Sequence, residues 1–276
     1  MGQDALHEPL HDLRCAHTYI SILHTAVLAD KLTQAERYIA PRYTSAASAS
    51  AQRRCERAGE GMLLYLAAHV TQDADICLGE FGKPELSRAA AARVAVPAGE
   101  KYVRAVALGA DLVHPHISIS HDAGLVVLAL ADEPVGVDVS RLVLNERVAS
   151  RSLAPFLPKD WPHLADPART YVCTRAWCEL ESVLKAMGTG FTADYRRHPE
   201  LLEGWHHTTF ALVDDGIVED SFVLDEEFSK RLATVTQGPS AELPKAVLSL
   251  ALRTPFDVAI SWQDEAVSNL LAKGSA

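Results

Sequence analysis

The chain has 276 residues, with 26 Lys and Arg against 36 Asp and Glu, so its formal charge is −10. That balance excludes a general nucleic-acid binder, which needs a basic face to neutralise phosphates. At 48% hydrophobic and 22% charged residues, the composition is that of a globular protein long enough to bury a sizeable core, in one large or two smaller domains.

Five cysteines (Cys15, Cys55, Cys77, Cys173, Cys178) are scattered along the chain with no close pair of the zinc or redox kind, which suits a reducing setting. The segment Met1 to Leu13 is polar and carries both charge signs. No apolar run approaches the roughly 18 residues of a membrane span. The expectation is a cytoplasmic protein with no signal segment and no membrane partner.

In chain order, the small-residue stretch Ala46 to Ala51 reads as a loop or helix entry. From Arg53 to Val70 the apolar positions Ala58, Met62, Leu63, Leu66, Ala67 and Val70 recur at three- and four-residue steps, the period of an amphipathic helix. Its first turns carry Arg53, Arg54 and Arg57. Residues 79–84, Gly-Glu-Phe-Gly-Lys-Pro, are turn chemistry. His116 to His121 alternates and Gly124 to Ala131 is nearly all apolar, so both read as strands, the second well buried. A third strand spans Val135 to Val139, with Val135, Val137 and Val139 on one face and Gly136, Asp138 and Ser140 on the other. A Pro-rich connection (155–167) leads to a helix over Ala168 to Met187, which Gly188-Thr189-Gly190 terminates. Beyond His206 the strand-like runs are Phe210 to Val213, Ser221 to Leu224 and Phe256 to Trp262, separated by a loop rich in Thr, Gly and Pro. A faint echo, Arg57-Ala58 in the first half and Arg175-Ala176 in the second, suggests two similar halves.

Within the second helix Trp177, Glu181 and Lys185 fall at i, i+4 and i+8 and share one face. Alone, Glu181 and Lys185 would be a solvated ion pair worth a few tenths of a kcal/mol, and Asp138 a turn residue. A zinc site from His114, His116 and His121 is disfavoured, because no carboxylate or Cys sits at a familiar spacing and Pro115 interrupts the strand. Cys178, of a residue type that is often buried and at a mid-helix position with no dipole to activate its thiol, reads as core packing.

Four motifs in one order change the weight of these residues: Gly82-Lys83-Pro84-Glu85-Leu86, Ile119-Ser120-His121, Gly136-Val137-Asp138, and Trp177 to Lys185 followed by Gly188. Together they resemble the 4′-phosphopantetheinyl transferases of the surfactin-synthetase-activating (Sfp) type, over about Arg53 to Phe191. The two acids, Asp138 and Glu181, stand at a separation that suits the family. The resemblance implies transfer of the phosphopantetheine arm of coenzyme A to a serine of an apo acyl or peptidyl carrier protein, releasing adenosine 3′,5′-bisphosphate. It implies Mg²⁺, or Mn²⁺ in its place, on Asp138 and Glu181. Either Glu181 or a metal-bound hydroxide would take the serine proton, and Lys185 would meet the charge that develops on the pyrophosphate.

The resemblance also implies coenzyme A contacts. Ser120 and His121 match a Ser-His pair that contacts its phosphates, Lys83 and Pro84 a Lys-Pro that lies along the adenine, and Arg53 and Arg57 are candidates for the 3′-phosphate. The implied architecture is an α+β monomer of two similar halves, residues 1–131 and 132–276, related by a pseudo-twofold axis, each a helix packed on a small antiparallel sheet. The second half would carry the metal-binding Asp and Glu. Two residues depart from the family pattern. Ser140 stands where a second acid often follows the Asp, and Leu180 where a Lys often precedes the Glu. These departures keep two other readings open, a catalytically silent coenzyme A or carrier-protein binding module and an unrelated metal-dependent phosphohydrolase.

Overall fold

The computed structural model describes residues 16–44, 48–94, 101–102, 115–142, 153, 156–164, 166, 168–192, 194–213, 216–219 and 244–273. Eleven strands and five α-helices lie in this set: β1 (Ala16–His24), α1 (Leu32–Ala35), α2 (Ala51–Ala68), β2 (Ile76–Leu78), β3 (Pro84–Leu86), α3 (Arg88–Ala91), β4 (Lys101–Tyr102), β5 (His116–Asp122), β6 (Leu125–Ala131), β7 (Gly136–Arg141), α4 (Ala168–Met187), β8 (His206–Val213), β9 (Gly216–Glu219), β10 (Ala246–Leu252), β11 (Phe256–Trp262) and α5 (Asp264–Lys273). The fold is α+β. A five-stranded sheet has the order β4-β11-β1-β6-β5, a four-stranded sheet the order β7-β10-β8-β9, and β2 pairs with β3 alone.

The layers follow from which side chains are apolar. On β6, Val126, Leu128 and Leu130 face α2, while Val127, Ala129 and Ala131 face the second sheet. Both faces are covered, which is why this strand reads as a continuous apolar run. Ile20 and Ile22 of β1 join Val137, Val139, Phe210, Leu248 and Leu250 of the second sheet in one core between the sheets. Helix α4 covers the outer face of the second sheet, where Tyr171, Val172 and Cys178 meet Val247. The order across the molecule is helix, sheet, sheet, helix. No helix among the described residues is long and apolar enough to cross a membrane.

The element ends have local causes. Helix α2 starts two residues before the periodicity suggests, because the Ser50 hydroxyl accepts the Arg53 N–H at 3.2 Å. It ends at Ala68 with His69 in the left-handed region at φ 47°. Ala123 (φ 54°) and Gly124 (φ 79°) form the tight turn between β5 and β6, so β6 begins at Leu125. Helix α4 has the expected bounds and stops where Gly188 turns left-handed at φ 75°.

Two strands outside the sequence reading organise the sheets. β1 and β10 are central, and β1 pairs in parallel with β11, the last strand of the chain. The first sheet is therefore mixed rather than purely antiparallel, and it draws its strands from both ends of the sequence. The run Ser221 to Leu224 lies outside the described residues, as does His114.

Candidate functional site

Strand β5 is the edge of the first sheet and β7 the edge of the second. The two edges adjoin without a backbone ladder. Instead the Val137 N–H donates to the Ser118 hydroxyl at 3.0 Å and the Val139 N–H donates to the Ser120 hydroxyl at 3.3 Å. Serine side chains thus satisfy strand donors that an open edge would leave exposed.

Along the seam opens a cleft of about 800 Å³, within the usual range for a small-molecule site. Arg42, Tyr43, Arg57, Glu60 and His121 form one side of it. Asp138, Ser140, Trp177, Glu181 and Lys185 form the other, and Pro84, Leu78 and Ser120 also contribute. The predicted helix face Trp177, Glu181, Lys185 is thus the face that α4 presents to the cleft.

The α4 side is built by close approach. A Cβ on Gly136 would stand 1.7 Å from the Ser182 carbonyl oxygen and 2.5 Å from the Ala186 nitrogen. Only glycine lets β7 and α4 meet there, and this contact brings Asp138, two residues on, against the helix. Lys185 Nζ donates to Asp138 Oδ1 at 2.7 Å and to the Ser120 hydroxyl at 3.0 Å, and lies 3.6 Å from Glu181 Oε2. The Ser120 hydroxyl itself donates to Asp138 Oδ1 at 2.8 Å.

Two carboxylates and one ammonium leave this cluster with an excess of negative charge. Burial first, and then the neighbouring Asp138 charge, push the Glu181 carboxyl up to about 7, with Lys185 opposing. Burial works against the Lys185 charge, but Asp138 and Glu181 outweigh it and hold the ammonium above its ordinary range. Among the described residues no three His, Cys, Asp or Glu side chains are grouped to hold a metal ion. Two hard oxygen ligands are nonetheless the usual protein share for Mg²⁺, which keeps waters and phosphate oxygens in its other positions. An acid pair with its charge only half compensated fits such a cation.

The α2 side is differently arranged. Arg57 donates to Glu60 Oε2 and to the Arg42 carbonyl, both at 2.6 Å, and lies over the Tyr43 ring. His121 places Nδ1 3.4 Å from Glu56 Oε2 and Nε2 3.4 Å from Glu60 Oε1, so its two nitrogens address different carboxylates. Arg53, largely exposed, lies 3.3 Å from His121 Nε2 and 3.9 Å from Glu56 Oε2. Arg42 Nε pairs with Asp73 at 3.5 Å. Burial raises the Glu60 carboxyl, against the pull of Arg57, His121 and Arg53, and takes the Tyr43 hydroxyl up to about 12.

The remaining predicted residues fall as follows. Lys83 Nζ is engaged by two backbone carbonyls, Val135 at 3.1 Å and Ala186 at 3.3 Å, and burial lowers it to about 8. It ties the β2–β3 turn to the end of α4, while its neighbour Pro84 lines the cleft. Leu180, in the place of the family's Lys, is fully buried with Cys173, Ala176 and Leu184. Ser140 lines the cleft. Cys178 is buried, its thiol donating to the Val247 carbonyl at 3.5 Å, and burial raises it well above the ordinary thiol range.

Arg42 and Tyr43 carry no sequence signal, since they sit on a short 3-10 turn and reach the cleft only through tertiary packing. Among the described residues the large apolar side chains left exposed are Leu78 (63%), Phe81 (51%) and Phe191 (54%). Leu78 lines the cleft, and Phe191 stacks on Trp177, which lines it too. Set against known proteins, the chain matches no family profile, and no curated protein matches its sequence.

Proposed function

We propose that the protein is a divalent-cation-dependent 4′-phosphopantetheinyl transferase, moving the phosphopantetheine arm of coenzyme A to a serine of an apo carrier protein. One observation carries the reading. Asp138, Glu181 and Lys185, from motifs far apart in sequence, converge in a cleft between two α+β layers that His121, Arg57 and Pro84 also line. The pseudo-twofold relation between the halves belongs to this proposal, as do the monomeric state and the cytoplasmic setting.

Asp138 and Glu181 would hold the Mg²⁺ or Mn²⁺. The chemistry such a cation supplies when bound is neutralisation of negative charge on the pyrophosphate. Glu181 would also accept the proton of the incoming serine hydroxyl. Lys185 is charged and fixed beside both acids, where it offers a donor to the oxygens that gain charge as the bisphosphate leaves. The α2 side offers Arg57, Arg42 and His121 to the anionic nucleotide. Exposed Leu78, which lines the cleft, and exposed Phe191, stacked on the cleft residue Trp177, suit an acceptor that is itself a protein.

The test is incubation with coenzyme A, Mg²⁺ and several apo-carriers, followed by the intact mass of each carrier. A gain of one phosphopantetheine is expected for at least one of them. Binding of coenzyme A without transfer would mark a silent binding module. Phosphate release without any carrier adduct would mark a phosphohydrolase.

A further inference from the structure

The geometry points to Ser120 as a positioning residue that orients Asp138 and Lys185, its hydroxyl being unavailable to a phosphate of the bound nucleotide. What Asp138 is oriented for rests on the transferase reading.

Ser120 and His121 are adjacent on a strand, so their side chains leave opposite faces. His121 goes to the carboxylates of α2, and Ser120 goes to Asp138 of β7 and Lys185 of α4. A serine hydroxyl has one proton to donate and two lone pairs to offer. Here the proton goes to Asp138 Oδ1 at 2.8 Å, and the lone pairs receive Lys185 Nζ at 3.0 Å and the Val139 N–H at 3.3 Å. All three capacities are in use. A phosphate oxygen needs a donor, and the only proton this hydroxyl has is committed to a buried carboxylate.

The three bonds have a common consequence. Ser120 and Lys185 both donate to the same oxygen of Asp138, which pins that carboxylate. The Val139 N–H anchors the hub to the very strand that carries Asp138, so the hydroxyl sets the position of β5 against both the acid and its backbone. Ser118 supplies an internal comparison. It makes the same kind of seam bond, from the Val137 N–H at 3.0 Å, two residues earlier on β5.

The experiment is a Mn²⁺ titration followed by electron paramagnetic resonance on the whole chain, without coenzyme A or acceptor. It is paired with calorimetric binding of coenzyme A in the absence of metal. Ser120→Ala should weaken Mn²⁺ binding about tenfold, the scale seen when an outer-shell partner of a ligand is removed. Ser120→Thr, which keeps the hydroxyl, should stay within about threefold of the parent, as should Ser118→Ala. Metal-free coenzyme A binding should be unchanged in all of them. In the transfer assay Ser120→Ala should lower kcat and leave the KM for coenzyme A unaltered.

Three results overturn the assignment: weaker metal-free coenzyme A binding by Ser120→Ala, equal Mn²⁺ losses in Ser118→Ala and Ser120→Ala, or no Mn²⁺ binding by the parent chain. Should Ser120→Ala fail to fold, Ser120→Cys keeps the shape with a poorer donor, and the same criteria apply. Failure of the transferase reading looks different. No carrier would gain mass, while the Mn²⁺ difference between the two serine variants would persist.

Discussion

The two walls of the cleft handle buried charge in opposite ways. On the α2 side the arginines meet acids, Arg57 with Glu60, Arg53 with Glu56 and Arg42 with Asp73, and the His121 ring faces both glutamates. On the α4 side Lys185 serves two carboxylates, and one of them, Glu181, is driven up to about 7. A balanced wall holds its shape without a ligand, whereas an unbalanced one gains from any cation that enters. Under the proposed function, chemistry belongs to the α4 side and recognition to the α2 side, with β5 directing Ser120 toward one and His121 toward the other.

The largest effect should come from the unbalanced wall. Glu181→Gln should remove carrier modification to below about a thousandth of the parent rate, since it takes away both a cation ligand and the proton acceptor. Its circular dichroism and unfolding midpoint should stay close to the parent's. Lys185→Ala should slow transfer about 10²–10³-fold, the scale for one lost charge-stabilising donor. A loss under tenfold would move Lys185 out of the reaction.

The packing beneath that wall is the next target. Gly136→Ala sets a methyl group 1.7 Å from a helix carbonyl oxygen, so β7 and α4 must separate, at about 3 kcal/mol or more. Urea unfolding measures this, and a change below about 1 kcal/mol contradicts the close approach. On the balanced wall the effects are smaller. Glu60→Gln frees Arg57 for an anionic ligand and should tighten coenzyme A binding about threefold by calorimetry. Weaker binding would mean that Arg57 depends on Glu60 for its position.

A further effect concerns pH. Burial lowers Lys83 from 10.5 to about 8 in the folded chain. A folded pKa below the unfolded one gives stability that is fully present above 10.5 and is lost as pH falls toward 8. The parent should therefore resist urea better at pH 10 than at pH 8 by a margin that Lys83→Met lacks. An identical pH response in both proteins would place Lys83 in water.

Much of this contrast was legible in the sequence, and unevenly so. Helix α4 has its predicted bounds, because a long periodic segment between a Pro-rich connection and a glycine leaves few alternatives. The spacing of Trp177, Glu181 and Lys185 correctly gives one face. β10 went unread although its apolar run is of the same kind as β6, with Leu248 and Leu250 against the first sheet and Val247 against α4. β1 went unread too.

At the site, the pattern identifies which residues carry chemistry but not which of them are already paired. Nothing in Arg57-Ala58-Gly59-Glu60 announces that Arg57 is held by Glu60 and by the Arg42 carbonyl, or that Lys83 bonds two carbonyls across the fold. These pairings, invisible in the motifs, are what give the cleft two walls of different balance.

The most direct test of the account is a time course of apo-carrier intact mass with coenzyme A and Mg²⁺, run side by side for the parent chain, the parent chain with excess chelator, and Glu181→Gln. The account predicts conversion to the phosphopantetheinylated carrier in the first reaction and none in the other two. Equal conversion in all three, or no conversion of any carrier by the parent chain, would contradict it.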